Sequence, residues 1–129
     1  VTTKGPDDMS VSEVRVDELF AAHGNGAVVI DVREPHEFAA GHVAGARLVP
    51  MRTLPSQVQD LPTDTGLYVI CESGARSWQA TAFLVRHGIT AVNVEGGMSA
   101  WRGHGYPVET GAPGMATDTG SRTQAGGTP

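Results

Sequence analysis

The sequence predicts an α/β fold with a mainly parallel central sheet and helices on both faces. Two observations carry that expectation. Short apolar runs alternate with helical patterns along the body of the chain, the order that builds strand–helix–strand units. Two of those runs, Val28-Val29-Ile30 and Leu67-Tyr68-Val69-Ile70, are continuous, as strands buried on both faces are.

The remaining elements follow in order. Val11 to Val14 reads as a weak first strand. Asp17 is expected to N-cap a short helix through Ala22, ended by Gly24 and Gly26. A short helix over His36 to Ala40 follows, then a strand near Arg47 to Val49. A helix over Leu54 to Leu61 is closed by Pro62. Ser77 to His87 is the strongest helical segment, with Ala80, Phe83 and Leu84 flanked by Trp78, Ala82 and Val85 on a wide apolar face. Arg86 and His87 fill its last turn, and Gly88 is a fitting C′ residue. Ala91 to Val94 predicts another strand and Gly97 to Arg102 a last short helix. Gly96 and Gly97 read as a tight turn in which a side chain would clash.

A chain of 129 residues suits one domain with a real core. Residues 1–10 are expected to be a disordered lead-in, and 110–129 a flexible tail of Gly, Thr, Ala, Ser and Pro that cannot offset its ordering entropy. The folded body is therefore expected over 11–109. A net charge of −5 with scattered cations argues against a nucleic-acid partner. No apolar run approaches the roughly 20 residues of a membrane span, and the polar start lacks the apolar middle of a signal peptide. The single cysteine forbids an internal disulfide and fits a reducing compartment, so the expectation is a soluble, cytoplasmic protein.

That cysteine carries the chemistry. Cys71 directly follows the buried 67–70 run and precedes the strongest helix, which puts it beyond the carboxyl end of a strand, where open α/β sheets bind ligands. The short loop Glu72-Ser73-Gly74-Ala75-Arg76 can turn its N–H groups onto the sulfur as an anion nest. The following helix, from near Ser77, adds its positive end, and Arg76 a full charge. All three favour a thiolate below the ~8.5 of a free cysteine and would hold a persulfide anion equally well. The competing reading of an isolated cysteine is a buried, inert one; strand, tight loop and helix together weigh against it.

Cys71-Glu72-Ser73-Gly74-Ala75-Arg76-Ser77 resembles the active-site loop of the rhodanese family, with the sulfur-carrying cysteine first. Phe38 to Ala46 resembles that family's upstream signature, with Ala44 where proline is usual. Asp31-Val32-Arg33-Glu34 and Glu37-Phe38 resemble the segment leading into it. Asn93 to Gly97 followed by Trp101 is similar to its closing motif, with Met98 where an aromatic is common. The resemblance implies a sulfurtransferase: Cys71 takes sulfur from a donor such as thiosulfate and a thiol or cyanide removes it, with no metal or organic cofactor. With no second cysteine to resolve the persulfide, the acceptor must be external. Related cell-cycle tyrosine phosphatases use a loop one residue longer; the six residues from Cys71 to Arg76 are the shorter version, one N–H donor fewer, suited to a sulfur atom. The alternative within the family is a sulfur-relay or regulatory module that docks a protein partner with little turnover. An idle scaffold is a third reading, opposed by the presence of Cys71 and Arg76.

Other residues have both a chemical and a structural reading. Asp31 and Arg33 are expected near the site, as a salt bridge or loop anchor rather than as catalysts. Glu37 has two candidate partners, Arg33 and Arg76. His42, between Gly41 and Gly45, could act as acid or base but is expected to bond backbone and fix the turn. Trp101 is assigned to the core. Glu72 is the discordant residue, because a carboxylate beside the nucleophile opposes both the thiolate and a dianionic donor.

Overall fold

The computed structural model describes residues 11–112. The expectations for 1–10 and for the tail from 113 onward lie outside the described residues. Five strands, β1 (Glu13–Val14), β2 (Val28–Asp31), β3 (Arg47–Leu48), β4 (Leu67–Ile70) and β5 (Ala91–Val94), form one sheet in the order β1-β5-β4-β2-β3. Every pairing is parallel. The helices are α1 (Val16–His23), α2 (Pro35–Ala40), α3 (Leu54–Gln57), α4 (Ala75–Arg86) and α5 (Gly97–Gly103).

The central strands are apolar on both sides because both sides are covered. Leu67 and Val69 of β4, with Ile30 of β2, pack against Leu54, Leu61, Ala80 and Leu84 beneath α3 and α4. Val29 and Ile70 point the other way, into a cluster with Val16 and Leu19 of α1 and Met98 and Trp101 of α5. This period-two division gives the sheet two cores. Each aliphatic side chain buried there stabilises the fold by about 1.5–3 kcal/mol before entropy is counted.

Several boundaries differ from the sequence reading, each for a local reason. Asp17 is not the N-cap of α1: Arg15 occupies that position, its N–H held by the Glu18 carboxylate at 2.8 Å, and Asp17 sits inside the first turn. The span from Leu54 to Leu61 is not one helix. Only Leu54–Gln57 is α-helical, with 3₁₀ turns at Met51–Thr53 and Val58–Asp60 on either side. α4 begins at Ala75, two residues before the expected start, because Gly74 at φ +104° caps it and leaves Ala75 and Arg76 helical. Gly88, at φ +80°, ends that helix as expected. After α5 the chain returns to the C-terminal end of α2, where Glu109 and His42 exchange two backbone hydrogen bonds of 2.8 Å.

Candidate active site

β2 and β4 leave the sheet side by side, since Asp31 pairs with Ile70 and the Val32 N–H still donates to the Ile70 carbonyl at 3.0 Å. This places Asp31, Arg33 and Cys71 together at the carboxyl edge of the sheet. Cys71 is buried, and its Sγ accepts three hydrogen bonds at the head of α4. The Gly74 N–H lies at 3.1 Å, the Ser77 N–H at 3.3 Å and the Ser77 hydroxyl at 3.2 Å. Burial works against the thiolate, but the Ser77 hydroxyl and the N–H groups of Ser77, Gly74 and Ser73 outweigh it and lower the Cys71 pKa. Ser77 is itself buried, and its carbonyl accepts from Thr81 Oγ1 at 2.7 Å. The loop and the first turn of α4 thus present a preformed anion site around one sulfur atom.

The charges around that sulfur are paired. Arg33, 2% exposed, grips the buried Asp31 carboxylate through Nε and a terminal nitrogen at 2.9–3.2 Å. It also donates to the Gly41 carbonyl at 2.7 Å and to Glu72 Oε1 at 3.2 Å. Burial opposes the Arg33 charge, yet the bonds and charge of Asp31, with Glu72 and Glu37 behind them, raise its pKa above the ordinary value. Glu72 lies between Arg33 and Arg102 of α5, with which its second oxygen also pairs. Arg76 does not bring an unshared positive charge to Cys71. Its two terminal nitrogens fork onto both oxygens of Glu37 at 2.8 and 2.9 Å, which resolves the choice of partner for Glu37. The hydrogen bonds from Arg76 hold the Glu37 carboxyl down at about 2.

His42 is buried and stacked on Phe38, with ring centroids 3.6 Å apart, and its Nδ1 contacts the Phe38 carbonyl at 2.7 Å. Its ring is held by α2, as a turn-fixing residue. Ser73 in the loop and Ala75 at the first position of α4 flank Gly74, and both are exposed. Sequence reasoning missed Arg102 as the second partner of Glu72, and it missed Asn93, whose side-chain nitrogen contacts the Gly74 carbonyl at 3.3 Å. A polar residue inside the apolar run Ala91 to Val94 was the available signal for Asn93. Nothing local could have paired residues 72 and 102.

The rhodanese-like domain family matches residues 15–104, which include the whole sheet after β1 and every residue of this site. The chain belongs to that family. It is 39% identical over 82 residues to a sulfurtransferase of Allochromatium vinosum, covering 63% of this chain and 77% of the relative. It is 38% identical over 92 residues to the thiosulfate sulfurtransferase GlpE of Stutzerimonas stutzeri, covering 70% of this chain and 84% of that one. The crystal structure of a rhodanese-related protein from Thermoplasma volcanium superposes with a TM-score of 0.74 at 34% identity, covering 78% of this chain and 99% of that one. Rhodanese-like membership agrees with the all-parallel sheet and with Cys71 at the mouth of β4.

The Glu37–Arg76 pair gives this rhodanese-like domain a pH signature. Glu37 titrates at about 2 when folded against 4.5 ordinarily, so its stabilisation is complete above 4.5 and is lost as pH falls from there toward 2. Arg76 is 40% exposed, so water screens the pair and its worth is about 1 kcal/mol. Glu37→Gln should therefore be about that much less stable at neutral pH. Urea titrations should show the gap closing between pH 4.5 and 2; a gap constant with pH would mean the two side chains are unpaired in solution.

Proposed function

We propose that Cys71 is the nucleophile of a sulfurtransferase that carries sulfur as a persulfide. The enzyme is a transferase of the thiosulfate sulfurtransferase type, the activity named for its relatives. The Cys71 thiolate attacks the outer sulfur of a donor such as thiosulfate. The sulfur–sulfur bond of the donor breaks, sulfite leaves with the electron pair, and Cys71 holds the transferred sulfur as a persulfide. An external thiophile, cyanide or a thiol, then attacks that sulfur and returns the thiolate. The loop from Glu72 to Ser77 forms the binding site. Its N–H groups and the Ser77 hydroxyl, which hold the thiolate, are placed to hold the persulfide anion. Asp31, Arg33, Glu37 and His42 support the loop rather than touch the transferred sulfur. A lone thiol that must stay reduced between cycles suits the cytoplasm.

The observation that carries this reading is a buried cysteine sulfur receiving three hydrogen bonds at the head of α4. Intact-mass spectrometry tests it. Thiosulfate should add one sulfur atom to the protein and cyanide should remove it, while Cys71→Ser should acquire none. Sulfur uptake by Cys71→Ser would overturn the assignment.

A relay module with a protein donor or acceptor is the second reading. Among the described residues Trp78, 42% exposed in the first turn of α4, is the one feature pointing that way, and a single exposed ring is less than the contiguous patch that docking uses. Stoichiometric persulfide formation with background steady-state turnover would select it over the free-standing enzyme.

A further inference from the structure

Asn93 is the third residue of β5 and is 1% exposed. Its neighbours in the strand are Ala91, Val92 and Val94, so an amide here is out of keeping with the pattern. The side-chain nitrogen donates to Glu13 Oε2 at 2.7 Å and to the Gly74 carbonyl at 3.3 Å. The side-chain oxygen is buried with no hydrogen-bond partner. Turning the amide over would set that oxygen against a carboxylate and a carbonyl, so the partners fix its orientation. A buried acceptor left without a donor is a cost to folding, and a leucine of similar shape would avoid it. The geometry around Gly74 accounts for the amide.

Gly74 serves the site twice. Its carbonyl starts α4 by accepting the Trp78 N–H at 3.1 Å, and its own N–H donates to Cys71 Sγ at 3.1 Å. It does so at φ +104°, a conformation glycine reaches freely and also leaves freely. The N–H therefore stays on the sulfur only if both sides of the residue are held. On one side the Gly96 nitrogen lies 3.1 Å from the place a Cβ would take. On the other, the carbonyl is held by the Trp78 N–H at 3.1 Å and from a second direction by the Asn93 amide at 3.3 Å, which Glu13 on the edge strand steadies.

We infer that Asn93 is a positioning residue for the sulfur site: by clamping the Gly74 carbonyl it keeps the Gly74 N–H aimed at Cys71 Sγ. The inference rests on Cys71 as the nucleophile, but its test needs no sulfur donor. The rate of Cys71 alkylation by iodoacetamide, followed against pH, reports the thiol midpoint in the wild type, Asn93→Leu and Glu13→Ala. Asn93→Leu should unfold no more easily than the wild type, because it removes the unpaired oxygen. Its midpoint should nonetheless rise by about one pH unit, a roughly tenfold loss of thiolate below the midpoint. Glu13→Ala, at an exposed position, should shift the midpoint the same way by less. A folded Asn93→Leu with the wild-type midpoint would overturn the inference. If that variant does not fold, an unshifted Glu13→Ala does the same. A shifted midpoint in a protein that never acquires sulfur would remove the transferase reading and leave the positioning role standing.

Discussion

Asp31→Ala should cost the fold about 3–5 kcal/mol, the cost of leaving a buried charge without its partner. Arg33 is 2% exposed and Asp31 is fully buried, so neither can turn to water when the other is removed. Asp31 accepts the Arg33 backbone N–H at 3.0 Å as well as the guanidinium, which makes it the main counter-charge. Glu72 remains for Arg33, at 3.2 Å and through one nitrogen, but it is shared with Arg102. Urea unfolding at pH 7 measures the loss. The double variant Asp31→Leu, Arg33→Met removes both charges and should lose much less than the sum of the single changes. Additive losses would show that the two side chains are not coupled and that the pair is not what joins β2 to the loop. The double variant should still carry a penalty, since Arg33 also ties the Gly41 carbonyl.

The same network explains why Glu72 is tolerated beside Cys71. Read from its place in the chain, its carboxylate opposes the thiolate. In the fold it is drawn between two guanidinium groups, one from the end of β2 and one from α5. Arg76 is the mirror case: its position in the loop suggests a free cation at the sulfur, and Glu37 takes its fork. The Cys71 sulfur is surrounded chiefly by neutral donors, two backbone N–H groups and one hydroxyl, which favour its charged form.

The parallel sheet, the two buried runs and the place of Cys71 were legible because they rest on local pattern: continuous apolar residues, then a short loop, then a helix. The Asp31–Arg33 pair was legible too, being local; the choice of Arg76 over Arg33 for Glu37 and the pairing of Glu72 with Arg102 were not, because they join segments 30 or more residues apart. The break-up of 54–61 into a single α-turn and flanking 3₁₀ turns was also hidden. Leu54, Val58 and Leu61 have helical spacing, but they need only dip into the core beneath β2 and β4, which short turns achieve.

Gly97→Ala should be nearly as damaging as loss of the buried carboxylate, through backbone alone. α5 docks head-on against the loop, with the Met98 N–H on the Cys71 carbonyl at 2.8 Å and the Ser99 N–H on the Glu72 carbonyl at 2.9 Å. A Cβ on Gly97 would collide with the Cys71 carbonyl oxygen and lie 2.7 Å from the Glu72 carbonyl, both main-chain groups that cannot swing aside. Gly97 also sits at φ +57°, where a side chain adds strain of about 1 kcal/mol. Clash and strain together should cost about 2–4 kcal/mol. Gly105→Ala is the control: it shares the positive φ, at +74°, but has open space around the new methyl, so it should cost about 1 kcal/mol. To relieve the clash α5 must back away and release the carbonyls of Cys71 and Glu72. Sulfur uptake from thiosulfate should therefore slow in Gly97→Ala and stay at the wild-type rate in Gly105→Ala. Equal stability losses in the two variants would mean that the loop and α5 part easily, and that the close backbone contact does not hold Cys71 in place.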